Sequence, residues 1–195
     1  PYELVELPPE ALDGFMRRAD FKAINVTIPY KEAVIPYLDE VSDTARQIGA
    51  VNTIVRREGR LYGYNTDMAG MTALLRRQGV SLTGKKVLVT GSGGTSKTAV
   101  ATARALGAAQ VVRLSRTARE DAVTYADAPR LHGDAQALIN TTPCGMYPHL
   151  GAMALELADY PALTSVTDAV YNPLRPALVV EARQRGLNAS GGLYM

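Results

Sequence analysis

Cysteine occurs once and histidine twice among the 195 residues. A single thiol excludes an internal disulfide, and Cys144 with His132 and His149 makes too small a donor set for a convincing zinc site, so no metal is expected. No apolar run approaches the ~20 residues of a membrane-crossing helix. Nothing in the first residues reads as a signal peptide, so a cytoplasmic protein without a membrane partner is expected. Long basic runs and aromatic platforms are also missing, which argues against nucleic acid. The net charge of +2 comes from interspersed charges and needs no partner larger than an anionic small molecule. Repeats and low-complexity tracts are absent. What remains is an ordinary globular composition, 47% hydrophobic, enough for one large or two small cores.

The second half alternates short apolar runs with helical patterns. Val87–Thr90, Gln110–Leu114, Ala137–Thr141 and Val166–Val170 read as strands, and Thr95–Leu106 and Pro176–Arg185 as helices. That alternation predicts a parallel, helix-covered sheet. The first half is mixed α/β. Tyr2–Leu7 and Lys22–Ile28 read as strands, Glu10–Ala19 and Ser42–Gln47 as helices, and Val51–Arg56 with Arg60–Tyr64 as a hairpin around Glu58-Gly59. A helix over Met68–Gln78 leads into a polar, glycine-containing stretch at residues 79–84. The expected boundary falls there, giving domains 1–80 and 81–195. The chain opens on Pro1 directly before a strand pattern and stops just after Gly191-Gly192, so further structure is expected at both ends.

The stretch richest in chemical information follows the first strand of the second half. Val87-Leu88-Val89 feeds Gly91, Gly93 and Gly94, which open an alanine-rich helix. Glycines permit a sharp turn and close backbone approach, and the amide groups and positive dipole end of the next helix favour a pyrophosphate. Ser96 stands where the third glycine of G-x-G-x-x-G would be. The next strand ends in Ser115-Arg116-Thr117, where an NAD site would place an acidic residue on the ribose hydroxyl. A guanidinium suits a phosphate better, so the expected cofactor is NADP. Gly91 with Ser96-Lys97-Thr98 also falls one substitution short of a P-loop. That rival lacks a convincing strand ending in a magnesium-holding aspartate, Asp168 after Ser165-Val166-Thr167 being the one faint candidate.

Three polar clusters lie in the first half. Asn25-Val26-Thr27-Ile28-Pro29-Tyr30-Lys31 ends a strand, and Pro29 suits the first turn of a short helix that would set Lys31 at the sheet rim. Gly49-Ala50-Val51-Asn52-Thr53 and Gly63-Tyr64-Asn65-Thr66-Asp67 place amide and hydroxyl groups beside strand ends, with Asp67 as the N-cap of the next helix. Taken singly, such residues usually make turns, caps and solvated surface.

Together the clusters resemble the shikimate dehydrogenase family along nearly the whole chain. The matches are Asn25 to Lys31, Gly49 to Thr53, Gly63 to Gly70, Gly91 to Lys97, Ser115 to Thr117, Asn140 to Met146 and Tyr171 to Leu174. The resemblance implies an N-terminal α/β substrate domain, incomplete here, joined to a C-terminal Rossmann NADP-binding domain with a cleft between them. It implies reversible, NADP-dependent oxidation of shikimate to 3-dehydroshikimate. Lys31 and Asp67 match the catalytic pair, and Thr27 and Asn52 match substrate-holding positions. Gly91, Gly93 and Gly94 match the pyrophosphate loop, and Ser115, Arg116 and Thr117 match the 2′-phosphate motif, with Ser115 departing from asparagine. Lys97 is a candidate second cation near the phosphates. Asn140 and Thr141 are implied near the nicotinamide ribose, and Tyr171 and Gly192 by the nicotinamide and substrate. Cys144 reads as a packed thiol.

Two substrate-binding serines of the family's first strand and a glutamine of its last helix would lie beyond the two ends of this chain. NADP binding is therefore expected to survive in this polypeptide better than turnover. The partner is a small molecule, and a monomer or homodimer is expected. The alternatives are a quinate/shikimate dehydrogenase, which often uses NAD and would not need Arg116, and a non-catalytic NADP-binding protein.

Overall fold

The computed structural model describes residues 2–195. By contacts the chain divides into two units, Pro1–Asn65 and Thr66–Met195.

The first unit carries a four-stranded sheet in the order β1-β3-β4-β2. Its strands are β1 (Ala23–Asn25), β2 (Glu40–Val41), β3 (Thr53–Arg57) and β4 (Arg60–Tyr64). The expected hairpin is present: β3 and β4 pair antiparallel around Glu58 and Gly59, both at positive φ. Helices α1 (Leu12–Arg18) and α2 (Asp43–Ile48) accompany the sheet. Ser42 caps α2 by accepting from Ala45 N, and Gly49 ends it in the left-handed conformation. Met16, Val34, Ala45, Val51, Ile54 and Leu61 form the core.

Two expectations fail in this unit. Tyr2–Leu7 is not a strand; Tyr2 to Glu6 are exposed, and Leu7 is half-buried with its O accepting from Tyr30 Oη. An alternating pattern becomes a strand only with a ladder partner, and among the described residues β1 pairs with β3 alone. Pro29 does not open a helix. Tyr30 N bonds back to Thr27 O at 2.9 Å, closing a turn over Ile28 and Pro29, and residues 31–34 continue as turns. Pro36, lacking an N–H, cannot extend a helical ladder from Glu32.

The second unit is a six-stranded, wholly parallel sheet. Its elements are α3 (Asp67–Gln78), β5 (Lys86–Thr90), α4 (Gly94–Ala105), β6 (Gln110–Ser115), β7 (Val123–Thr124), α5 (Ala128–His132), β8 (Ala137–Asn140), β9 (Ser165–Asp168), α6 (Ala177–Gln184) and β10 (Asn188–Ser190). The order β10-β9-β8-β5-β6-β7 is that of a doubly wound dinucleotide-binding sheet. Both faces are apolar, which is why the strands read as continuous rather than alternating runs. Leu88, Leu114, Leu138 and Val166 pack on the face covered by Leu178 and Val179 of α6. Val87, Val89 and Ile139 pack on the other face with Ala99 and Ala103 of α4 and Met71 and Leu75 of α3. Each such buried leucine, isoleucine or valine contributes roughly 1.5–3 kcal/mol.

Because Met71 and Leu75 serve this core, α3 groups with the second unit, earlier in the chain than the expected boundary after residue 80. Asp67 is the first helical residue of α3, and Thr66 occupies the N-cap position that sequence assigned to Asp67. An acidic residue in a first turn is favourable against the helix dipole in either place.

Candidate active site

In the first unit, backbone hydrogen bonds draw the polar clusters together. Val26 N donates to Asn52 O at 2.8 Å and Val51 N to Lys31 O at 2.7 Å, so the loop after β1 is sewn to the segment entering β3. Asn52 N donates to Tyr64 O at 3.0 Å, and the buried Asn65 amide donates to Ala50 O at 3.0 Å. Thr27, Lys31 and Asn52 therefore share one loop cluster of this unit. Thr27 is exposed, Lys31 half-buried and Asn52 buried, its Oδ1 accepting from Thr53 Oγ1 at 3.1 Å.

Asp67 belongs to the second unit, at the start of α3. The far end of that helix is anchored by a residue that sequence reading passed over. Gln78 Nε2 donates to Val166 O and Asn188 O at 3.0 and 2.9 Å, and its Oε1 accepts from Thr167 Oγ1 at 2.7 Å. Asn188 Nδ2 returns a bond to Gln78 O at 2.8 Å. The only signal in the sequence was a glutamine placed just before the capping Gly79, which reads equally well as solvated helix surface.

The glycine loop lies where the strand order reverses, at the carboxyl end of β5, the position at which doubly wound sheets bind ligands. Gly91 has φ +109°, and a Cβ there would come within 2.7 Å of Thr141 Oγ1. Gly93, at the N-cap of α4, would place a Cβ in open space, and among the described residues no side chain caps that helix. Such a cradle suits a phosphate. Ser96, the departure from the third glycine, is buried with its hydroxyl turned back onto Gly93 O at 2.8 Å. It takes the place of a small packing residue without reaching the loop's open side.

At the end of β6, Ser115 is buried and its hydroxyl donates to Thr117 O, while Arg116 and Thr117 are exposed. This bond folds the strand end so that the arginine projects from the rim. Tyr125 N donates to Ser115 O at 3.2 Å. Burial raises its phenol pKa, with Cys144 adding to the rise, while Gly91 N–H, Arg116 and Thr90 act in the opposite direction.

Asn140 ends β8 and is buried. Its Oδ1 accepts from Thr90 Oγ1 at 2.6 Å, Thr142 Oγ1 at 2.7 Å and Thr142 N at 3.1 Å. Thr141 N donates to Thr90 O at 3.1 Å. Gly192 is held by a bond from its N to Val170 O at 2.9 Å, and a Cβ on it would come within 2.2 Å of Ala169 O. Tyr171 is exposed beside them. Gly91, Thr141, Asn140 and Gly192 are thus brought to one edge of the sheet. Arg116 lies on the neighbouring strand end. Asp168, the faint magnesium candidate, has no exposure at all and is engaged by Asn140 and Val170, which does not suit a metal-holding end of a P-loop site.

Residues 1–54 match the family described as the shikimate dehydrogenase substrate binding domain. The whole chain aligns at 39% identity with 76% of the shikimate dehydrogenase (NADP(+)) of Geobacillus sp. (strain WCH70). The chain belongs to the shikimate dehydrogenase family. Among solved structures, shikimate dehydrogenase 1 from Peptoclostridium difficile superposes with a TM-score of 0.88 at 31% identity, over 97% of this chain and 74% of that one. The Thermus thermophilus shikimate 5-dehydrogenase in complex with NADP(H) and shikimate gives 0.82 at 34% identity, over 96% and 74%. The chain spans about three quarters of the length of these relatives. The α/β architecture expected from sequence, with a doubly wound sheet in the second half, is that of the family.

Proposed function

We propose that the protein is an NADP-dependent shikimate dehydrogenase, interconverting shikimate and 3-dehydroshikimate in aromatic amino-acid biosynthesis. Family membership supports the reaction, and Arg116 at the rim of the second strand of the dinucleotide sheet supports the cofactor. An acidic residue there would repel a 2′-phosphate, whereas a guanidinium pairs with it. The residues present fit NADP: a glycine turn at the switch point, an uncapped α4, the Arg116 rim, and Asn140, Thr141 and Gly192 fixed at the sheet edge.

When bound, NADP supplies the hydride acceptor. The rest falls to the side chains. Oxidising a secondary alcohol also releases a proton, and Lys31 is assigned to take it. Asp67 is assigned to orient Lys31 and to accept a hydrogen bond from a substrate hydroxyl. Thr27 and Asn52 are assigned to hold the substrate, and Tyr171 to lie beside it. Gly91, Gly93 and Gly94 are assigned to the pyrophosphate, and Ser115, Arg116 and Thr117 to the 2′-phosphate. Asn140, Thr141 and Gly192 are assigned to the nicotinamide half. In this reading the domain that binds substrate is the first unit, and the dinucleotide domain is the parallel sheet from β5 onward. The setting is the cytoplasm, as monomer or homodimer.

Lys31→Ala tests the chemistry. Turnover should fall roughly 10²- to 10⁴-fold, as for loss of a general acid/base, with NADP binding unchanged. Unaltered turnover would remove Lys31 from the mechanism.

A further inference from the structure

Asp168 is a buried carboxylate to which the reaction assigns no task. It ends β9, one step across the parallel sheet from Asn140, which in turn is one step from Thr90. Paired positions of neighbouring parallel strands share a face, so Thr90, Asn140 and Asp168 form one polar row at the carboxyl rim. Two positions along each strand towards the interior, Leu88, Leu138 and Val166 form the apolar row of the same face. Polar groups in such a place persist only when they are bonded.

The bonds have a single direction. Thr90 Oγ1 and both Thr142 donors point at Asn140 Oδ1, which turns Asn140 Nδ2 towards Asp168 Oδ1, 2.8 Å away. The same Oδ1 accepts from Val170 N at 2.9 Å. Val170 O then accepts from Gly192 N. One carboxylate oxygen thus ties the β8 exit, with Asn140 and Thr142, to the β9 exit, with Val170, Tyr171 and Gly192. The other oxygen, Oδ2, is buried with no hydrogen-bond partner among the described residues.

We propose that Asp168 is the positioning residue of the nicotinamide half of the cofactor site, acting through Asn140 on one loop and through Val170 on the other. The proposal rests on the function assigned above. The required property is the acceptor Oδ1, not the charge, because the bonds received are from a neutral amide and a backbone N–H. An asparagine offers the same acceptor. Alanine leaves the Asn140 amide and the Val170 N–H buried and unpaired, which loosens both loops. The adenosine half, held by the Ser115 turn and Arg116, is outside this network.

The test compares Asp168→Ala and Asp168→Asn in the full-length protein by titration with two ligands, NADPH and adenosine 2′,5′-bisphosphate, which lacks the nicotinamide. Asp168→Ala should weaken NADPH about tenfold, the order of one or two positioning hydrogen bonds, and leave the bisphosphate within about twofold. Asp168→Asn should restore NADPH to within about threefold. Equal loss of both ligands, or an asparagine variant as impaired as alanine, overturns the inference while leaving the function standing. Wild-type protein that binds neither ligand withdraws the function and the inference with it. If the alanine variant fails to fold, amide hydrogen exchange in the unliganded wild type decides. The Thr142 and Val170 amides should exchange as slowly as strand amides, and exchange at exposed-loop rates would contradict the network.

Discussion

The two ends of the proposed cofactor site are built on opposite principles. At the adenosine end the working group, Arg116, is exposed on a strand tip, and only the buried Ser115 hydroxyl beneath it shapes the turn. At the proposed nicotinamide end Thr90, Asn140 and Asp168 are buried, and Thr90, Asn140, Asp168 Oδ1 and the backbone of Val170 and Gly192 are bonded to one another, while Tyr171 stands exposed. In this proposal the exposed end works by charge, which acts in water, is screened by salt and tolerates loose geometry. The buried end works by preorganisation, where a misplaced group leaves its partners unsatisfied. Substitutions at the first should change ligand binding with little effect on the fold. Those at the second should change both.

The largest difference should come from pH. Burial lifts the Asp168 carboxyl from 3.8 to about 6, opposed in part by Val170 N–H and Asn140. The folded chain therefore holds this proton more tightly than the unfolded chain. The resulting stabilisation is complete below pH 3.8 and is lost as pH rises through about 6, a change of about 3 kcal/mol over that window. Asp168→Asn has no such proton to lose. Urea unfolding of both proteins at pH 4 and pH 8 should show the asparagine variant gaining on wild type by about that amount. Asp13 and Asp134, exposed and held below their ordinary value by Arg17 and Lys86, act in the opposite direction but are common to both proteins. A difference between the two proteins that does not vary with pH would place Asp168 outside the titration.

Glycine substitutions should separate the two settings next. Gly192→Ala forces a Cβ onto the Ala169 carbonyl and should destabilise by about 2 kcal/mol, the scale of overpacking, with NADPH binding weakened as well. Gly93→Ala meets nothing within 4 Å and has an extended backbone, so its melting temperature should stay within a few degrees of wild type while phosphate approach suffers. Equal destabilisation by both would erase the contrast.

Arg116→Ala should weaken NADP about tenfold, flatten the salt dependence of binding and narrow the preference over NAD, with unfolding unaltered. An unchanged NADP/NAD ratio would put the 2′-phosphate elsewhere. The smallest effect is expected from Ser115→Ala, which removes the bond to Thr117 O and should weaken NADP only a few-fold, about 1 kcal/mol or less. A loss as large as that of Arg116→Ala would mean that the turn, not the charge, holds the phosphate.

Sequence named candidates at both ends, Arg116 at the exposed one and Asn140, Thr141, Tyr171 and Gly192 at the other, but not the bonds that tie the buried groups together, for physical reasons. A glycine turn after an apolar strand and an arginine in place of an acid are local patterns. So are continuous apolar runs such as Val87-Leu88-Val89, which exist because a parallel sheet is covered on both faces. Asp168 was visible only as an acid after a strand. Its bond to Asn140 joins residues 28 positions apart, and nothing local encodes it. The short edge strands β2, β7 and β10, of two or three residues, carry too little pattern to read. Tyr2–Leu7 carried a strand pattern but, among the described residues, pairs with no strand. The helix α3 was grouped with the first half because glycine-bearing polar residues follow it, and an amphipathic pattern does not say which core Met71 and Leu75 will join. Sequence reads Thr27 and Asn52 within strands and Lys31 within a short helix, whereas the structure places all three in loops and turns, and the backbone bonds that gather them belong to the fold alone.

The central claim is the reaction, and the initial rate of NADPH formation with shikimate tests it most directly, measured on the full-length protein with NAD and quinate in parallel. Rapid reduction of NADP with shikimate, and much slower reduction with NAD or quinate, is the predicted result. Folded protein that binds NADP yet reduces none of it with shikimate would contradict the account.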